Sequence, residues 1–344
     1  MAFPAQWLYQ RARWRATIFL AGFAVTACQI ALHYCKQVWL LILVQGGIMG
    51  LALGILRGMV LLCLASHYKN NVPLASMQSG TVAMFGAFFY SFIAWTCLRS
   101  SKHLSLCWMN TVLSGTTLLL AFQQVRKSKG YKLLKPSDDP PRHRILKEKG
   151  MLWFLGGYFL LFSGFFVWPT FTVLLVSSPP SNHFPDFGAY VLFITFGCAM
   201  VTANYFVRPY SRRLLGPINA YVPFAMVAGV GYIVPAWMPS FLTAATCGVA
   251  YGCALGPLLA LHIKVLTVFH WSGLSYHPAM VSRINLVSTL AGISAAAGIC
   301  ATAILADARG FGVALTVMGG LMVLGGVLMG IVRFVRCKEF FVAV

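Results

Sequence analysis

The sequence predicts an all-α polytopic membrane protein of about ten transmembrane helices. Its 344 residues are 59% apolar and only 9% charged, and the mean hydropathy is +0.78. A chain of this composition buries most of its surface in lipid rather than around one soluble core. Apolar runs long enough to cross a hydrocarbon core of about 30 Å as helices begin near Thr17, Val38, Met77, Leu104, Met151, Phe187, Ile218, Phe241, Val281 and Phe311.

The distribution of basic residues predicts the orientation of these helices. If residues 1–15 face the cytoplasm, most of the 26 Lys and Arg residues fall on that side. The opposite side receives only Lys36, Arg99, Lys102 and Arg309. By the positive-inside rule, both termini are therefore cytoplasmic. The net charge of +20 does not indicate a nucleic-acid partner, because the bases sit at span ends, where they contact anionic lipid.

One connection between spans differs from the others in length and composition. Residues 125–150 contain many basic residues, three acids and several prolines, and such a segment cannot lie in lipid. It predicts a cytoplasmic linker between a partial N-terminal bundle of four spans (residues 1–124) and a C-terminal bundle of six spans (residues 151–344). A solvated tether that touches lipid headgroups explains it, and a regulatory or partner-binding role is the alternative.

Glycines recur at every fourth position in the second and the eighth spans. This spacing places them on one face of an α-helix, where a neighbouring backbone can approach closely or one helix can slide past another. We therefore predict packing or gating roles for Gly46, Gly50 and Gly54 in the second span and for Gly248, Gly252, Gly256 and the following Pro257 in the eighth. Spans one to four match spans seven to ten, and two parallel repeats joined by a central loop are typical of one large class of carriers.

Four segments resemble the major facilitator superfamily, and within it the monocarboxylate-transporter-like porters common in fungi. Residues 39–71 resemble the fourth helix of that family and the loop after it. Residues 156–172 resemble its seventh helix, residues 212–219 the loop between helices eight and nine, and residues 250–257 helix ten. The resemblance implies a two-bundle carrier in the plasma membrane that moves a small organic anion or an amphiphilic metabolite by alternating access, without a cofactor.

The chain also departs from the pattern of that family. In this register it begins immediately before helix three, so helices one and two, the first of which lines the translocation path, are predicted to be missing. The second hypothesis is therefore a non-transporting carrier relic or an incomplete gene model. The Gly-Arg pair that the family uses late in helix eight falls near Asn204 and Tyr205, with Arg208 one turn further on.

Arg57 is the first candidate for a substrate contact. A charge inside a span is costly and by default marks a water-filled cavity, a substrate or a paired acid. All six carboxylates of the chain lie in loops or at span ends, so the sequence offers Arg57 no fixed counter-ion. Its guanidinium is predicted to bind an organic anion through two parallel hydrogen bonds. The alternative is an arginine that snorkels to lipid phosphate or bonds backbone carbonyls.

Further candidates lie in the second half of the chain. In the absence of a buried carboxylate, His262 near the end of the eighth span is the candidate for proton coupling, and an interfacial hydrogen bond is the alternative. Tyr158, Asn204 and Tyr205 are polar enough to line a substrate cavity. The pair Trp168–Pro169 should break the fifth span and expose backbone carbonyls, as discontinuous helices do near binding sites. A packing kink is the alternative there.

The sequence argues against an enzyme. It contains no His-x-x-x-His motif, no intramembrane carboxylate pair and no nucleophile elbow, which are the patterns that membrane enzymes use. Its ten cysteines include no CxxC pair, and most lie within apolar runs as small packing residues. We therefore predict no catalytic residue, no metal site and no cofactor.

Overall fold

The structure, a computed structural model, describes residues 14–35, 37–67, 72–99, 103–125, 145–177, 186–205, 216–238, 240–269 and 278–336. Within these ranges the regular secondary structure is entirely helical. The elements are α1 (Trp14–Tyr34), α2 (Val38–Leu41), a π-helical segment (Ile42–Met49), α3 (Gly50–His67), α4 (Val72–Arg99), α5 (His103–Gln124), α6 (Met151–Phe165), α7 (Val167–Ser177), α8 (Asp186–Tyr205), α9 (Pro217–Trp237), α10 (Phe241–Leu261), a 3₁₀ helix (Lys264–Phe269), α11 (Pro278–Arg309) and α12 (Phe311–Arg336).

Nine helical segments of the described chain are long and apolar enough to cross a membrane. Each begins within a few residues of a predicted span. The remaining prediction, the fourth span, coincides with α5, which is helical over 22 residues but is not one of the nine. The predicted all-α polytopic class is therefore confirmed.

The second span is not one continuous α-helix. Its residues Ile42–Met49 are π-helical, with hydrogen bonds that span five residues instead of four. Gly46 lies in this segment, whereas Gly50 and Gly54 lie in α3. Because the two helix types turn by different angles per residue, the four-residue spacing does not keep Gly46 on the face of the later glycines. Gly46 and Gly50 are exposed, and Gly54 is half-buried.

The contacts within the chain divide it into two compact units. The first comprises Met1–Val72 and Thr96–Asp138, and the second comprises Pro73–Trp95 and Asp139–Val344. Most of α4 is thus grouped with the later helices rather than with its neighbours in sequence. The predicted division into residues 1–124, 125–150 and 151–344 stays a prediction, and most of the linker lies outside the described residues.

In the first unit, α1 packs against α3, α5 and the π-helical segment. It contributes Ile18, Ala21 and Val25 to two small apolar clusters. A cavity of about 210 Å³ lies between α1 and α5, beside Gly22 and Gly115. Its lining is almost wholly apolar, so it offers little to a charged solute.

The second unit contains the larger core. Its α12 packs along α6 and α9, α8 packs along α10, and α11 packs along α6. Glycines permit these close crossings: a Cβ added at Gly157 would lie 2.8 Å from the carbonyl oxygen of Gly325, and one at Gly229 would lie 2.6 Å from that of Gly319. The backbones therefore touch at these crossings, as small residues allow in membrane bundles.

Helix α4 joins the second unit through aromatic rings. Phe88, Phe92 and Trp95 lie on α4, and each has its ring centroid within 6 Å of that of Phe193 on α8. Trp95 also contacts Tyr190 on α8, at 5.7 Å between centroids. Such ring pairs favour contact beyond the burial of their area, which explains why α4 is grouped with the later helices.

Candidate functional site: a broken helix closed by two tyrosines

The fifth span is interrupted between α6 and α7. Helix α6 ends at Phe165, α7 begins at Val167, and Phe166 between them has φ −102° and ψ 2°. Pro169 explains the location, because proline has no N–H to donate to the carbonyl four residues earlier, which is that of Phe165. The break predicted at Trp168–Pro169 is therefore present.

Two tyrosines from other helices restore the backbone hydrogen bonds that the break removes. The Tyr232 hydroxyl on α9 donates to the carbonyl of Gly164 at 2.6 Å and accepts the N–H of Trp168 at 2.8 Å. It is thus inserted between a donor and an acceptor that would pair directly in an uninterrupted helix. The Tyr251 hydroxyl on α10 donates to the carbonyl of Phe165, the acceptor left without a partner by Pro169.

The prediction that the break exposes backbone carbonyls is wrong for Gly164 and Phe165. Both tyrosines are fully buried, and their hydroxyls occupy the two carbonyls. The physical reason is that an unpaired carbonyl costs several kcal/mol in a medium without water. The alternative prediction, a packing kink, describes this conformation better.

The indole of Trp168 connects the break to α8. Its Nε1 donates to Thr195 Oγ1 at 3.4 Å, and that hydroxyl in turn donates to the carbonyl of Val191 at 2.8 Å. The rings of Tyr232 and Tyr251 stack at 5.3 Å, with Trp168 less than 6 Å from each. Side chains of α8, α9 and α10 thus converge on α7 in one buried cluster, which we call the tyrosine cluster.

The glycines of the eighth span lie beside this cluster. A Cβ added at Gly248 would lie 2.9 Å from Thr195 Oγ1 and 3.7 Å from the Trp168 ring. One at Gly252 would overlap the carbonyl oxygen of Thr195, and one at Gly256 that of Ala199. These glycines and Pro257 are all buried. The structure thus places them at a close crossing with α8, and their gating role stays a prediction.

The described substrate candidates lie on three helices. Tyr158 on α6 is fully buried and stacks on Phe162 at 4.4 Å. At the end of α8, Asn204 is half-buried and Tyr205 is 72% exposed. Arg57 is exposed on α3, in the other unit. Arg208 lies outside the described residues.

His262 follows α10 and is 8% exposed. Its Nδ1 lies 2.5 Å from the carbonyl oxygen of Leu259. A carbonyl can only accept, so Nδ1 carries the hydrogen in this contact. Its role in proton coupling stays a prediction, and this geometry also fits the alternative of an interfacial hydrogen-bond donor.

An acid between two arginines lies at the end of the second unit where α6 and α11 begin. Arg283 on α11 donates through Nη2 to Glu148 Oε1. Arg336, the last residue of α12, has Nη2 at 3.7 Å from the other oxygen of Glu148. One turn earlier, Arg333 donates through Nε to Asn219 Oδ1 at 2.8 Å. Sequence reasoning placed Glu148 in a loop and missed this cluster.

No metal centre is found in the part of the chain that the structure describes, where no three His, Cys, Asp or Glu side chains are grouped to hold an ion. The tyrosine cluster offers hydrogen bonding, and the residues around Glu148 offer ion pairing. These two features are candidates for positioning helices and for binding an anion.

Comparison with known proteins places the fold. No family model and no curated protein matches the sequence. Among solved structures, the E. coli fucose:proton symporter FucP in its outward conformation is 14% identical with a TM-score of 0.67, over 96% of this chain and 86% of that one. The human organic anion transporter MFSD10 is 17% identical with a TM-score of 0.62, over 92% and 77%.

A bacterial homologue of the human lysosomal transporter Spinster, in an inward-facing conformation, is also similar, at 13% identity and a TM-score of 0.53. It is matched over 98% of this chain and 84% of the other. At these identities the likeness shows the fold alone. The chain therefore has the major facilitator fold. The monocarboxylate-like subtype and the missing first two helices stay predictions.

Proposed function

We propose that this protein is a secondary transporter that moves a small organic anion or an amphiphilic metabolite across a membrane by alternating access. The observation that carries the proposal is the fold: transporters of the major facilitator type match more than nine-tenths of this chain. Fold alone does not specify activity, and the tyrosine cluster and Arg57 provide further support.

The tyrosine cluster couples the break in the fifth span to two other helices. At the break, the backbone of α6 and α7 is held by side-chain hydroxyls of α9 and α10. Relative movement of these helices would therefore alter the hydrogen bonding of the break directly, without the loss of a whole helical turn.

Arg57 supports an anionic substrate. Its side chain is exposed in the first unit, and a guanidinium can hold a carboxylate through two parallel hydrogen bonds. MFSD10 is an organic anion transporter, whereas FucP is a fucose:proton symporter. We therefore propose an organic anion as substrate class, with His262 as the residue that couples protons and the plasma membrane as the location.

The test is uptake by purified protein in proteoliposomes. Labelled monocarboxylates, dicarboxylates and neutral sugars are offered with and without a pH gradient. We expect anion uptake in the wild type and at least a tenfold loss in Arg57→Gln, about 1.4 kcal/mol in the transition state. Arg309→Gln is the matched control, because it removes the same charge from an exposed position at the end of α11.

The possible outcomes distinguish the two hypotheses of the sequence analysis. Uptake that Arg57→Gln abolishes and Arg309→Gln preserves supports the anion carrier. If both variants take up the solute as the wild type does, Arg57 is not part of the substrate site. Absence of uptake for every solute, in protein shown to be folded, favours the alternative of a non-transporting relic.

A further inference from the structure

The cluster of Glu148, Arg283 and Arg336, here called the basic triad, carries one positive charge in excess. Arg283 pairs closely with Glu148, whereas Arg336 stands 3.7 Å from it, which is too long for a hydrogen bond. Asp307 is the other carboxylate whose side chain the structure describes. It lies near the far end of the 32-residue helix α11 that begins beside Arg283, so it cannot neutralise the triad.

Several donors of the triad are buried without an acceptor. Arg283 is 5% exposed, and its Nε and Nη1 have no hydrogen-bond partner among the described residues. The same holds for Nε of Arg336, and Oε2 of Glu148 is a buried acceptor without a hydrogen-bond donor among these residues. A buried charged donor without an acceptor costs its full desolvation. The ring of Phe269, whose centroid lies 4.8 Å from the Arg336 guanidinium, compensates only in part.

We propose that the basic triad binds a phosphate group, either of an anionic phospholipid headgroup or of free phosphate. A phosphate presents several acceptor oxygens and at least one negative charge, so it can accept from two guanidinium groups at once and balance the excess. A neutral ligand would leave the charge uncompensated.

The open side of the triad provides the path for the anion. The side chains of Arg336 and Glu148 are 26% and 25% exposed, whereas that of Arg283 is covered by its neighbours. Lys147 and Lys149 flank Glu148 and are exposed, which adds positive charge at the rim. The anion enters beside Arg336, the more exposed of the two arginines, while Arg283 keeps its pair with Glu148.

The location fits both sources of phosphate. The triad lies at the end of the second unit that the positive-inside rule assigns to the cytoplasm. Basic pockets between transmembrane helices on that side bind anionic headgroups, and the cytoplasm also contains free phosphate. The shared chemistry is the phosphate group, and the experiment must separate the two sources.

The experiment uses the full chain, purified and stripped of lipid. Native mass spectrometry measures the binding of phosphatidylglycerol and of phosphatidylcholine, and thermal unfolding is followed with inorganic phosphate or with chloride at equal ionic strength. We expect phosphatidylglycerol to bind the wild type at least about tenfold more tightly than it binds Arg336→Gln. Arg309→Gln, which removes an exposed arginine at the far end of α11, should bind like the wild type.

Two further comparisons complete the test. Arg336→Lys keeps the positive charge but loses the planar fork of donors, so we expect it to bind phosphatidylglycerol with intermediate affinity. That result would show that the weaker binding of Arg336→Gln is not caused by misfolding. If inorganic phosphate also stabilises the wild type but not Arg336→Gln, the site takes free phosphate; if only the lipid binds, it takes headgroups. Equal binding of both probes by the wild type and Arg336→Gln would overturn the proposal. The experiment includes no measurement of transport, so its result is independent of the proposed function.

Discussion

The second and the eighth spans contain glycines at the same four-residue spacing, and their surroundings differ. In the eighth span, a Cβ at Gly252 or Gly256 would overlap a carbonyl oxygen of α8. In the second span, a Cβ at Gly46 would meet no heavy atom of the described residues within 4 Å, and one at Gly50 would meet only the carbonyl oxygen of Gln45, at 3.9 Å.

A glycine repeat therefore permits close packing without specifying it. The eighth span lies against α8, whose facing residues Thr195, Cys198, Ala199 and Thr202 are small. Two small faces allow the backbones to touch. In the second span, the π-helical segment turns Gly46 away from the regular α-helical face, and π turns of this kind frequently occur at functional sites.

We expect the greatest loss of stability when a methyl group is added to the packed glycine face of the eighth span. Gly252→Ala places a methyl group where the carbonyl oxygen of Thr195 lies, so α8 and α10 must separate. Overpacking of this kind costs roughly 1–3 kcal/mol, and we expect a clearly lower melting temperature in detergent. If Gly252→Ala unfolds like the wild type, the close crossing of α8 and α10 is wrong.

A second prediction concerns the tyrosine cluster beside that face. Tyr251→Phe removes the donor to the carbonyl of Phe165, which Pro169 cannot replace. We expect a loss of about 1–3 kcal/mol in the free energy of unfolding. Tyr205→Phe is the control, because Tyr205 is 72% exposed.

The same prediction can be made sharper by a double-mutant cycle. Pro169→Ala supplies an N–H four residues after Phe165, so it should reduce the cost of Tyr251→Phe when the two changes are combined. Additive effects would show that Tyr251 does not replace the hydrogen bond that proline removes. Thermal or denaturant unfolding of the four proteins measures the cycle.

The smallest effect is expected on the open face. Gly46→Ala adds a methyl group that touches nothing within 4 Å among the described residues, and alanine favours helix by about 1 kcal/mol over glycine. The melting temperature should therefore stay the same or rise slightly. A loss as large as that of Gly252→Ala would mean that another helix packs against Gly46 and that the contrast between the two spans is false.

Much of the fold follows from local sequence patterns and was predicted from them. The apolar runs beginning at Met151, Phe241 and Phe311 start where the helices α6, α10 and α12 start, because run length and hydropathy decide which segments enter lipid. The break near Pro169 was equally predictable, since the missing N–H is a property of that residue alone.

The missed features depend on partners distant in sequence. Tyr232 and Tyr251 lie 68 and 86 residues after the carbonyls they occupy, so no local pattern connects them to the break. The pairing of Glu148 with Arg283 spans 135 residues. One signal could have suggested the contacts of the two tyrosines with the break. It is the combination of a span interrupted by proline with a tyrosine inside each of two later spans. The roles of Arg57 and His262 in transport stay predictions.

A water-filled path for solute that includes Arg57 can be tested without knowing the substrate. Arg57→Cys and Leu119→Cys are made in a chain without native cysteines and treated in proteoliposomes with a membrane-impermeant maleimide. Leu119 is 57% exposed on α5 and serves as the lipid-facing reference. We expect rapid labelling at position 57 and little at position 119. If position 57 is labelled as slowly as position 119 by the impermeant reagent and also by a membrane-permeant maleimide, Arg57 faces lipid and the carrier mechanism proposed for it is contradicted.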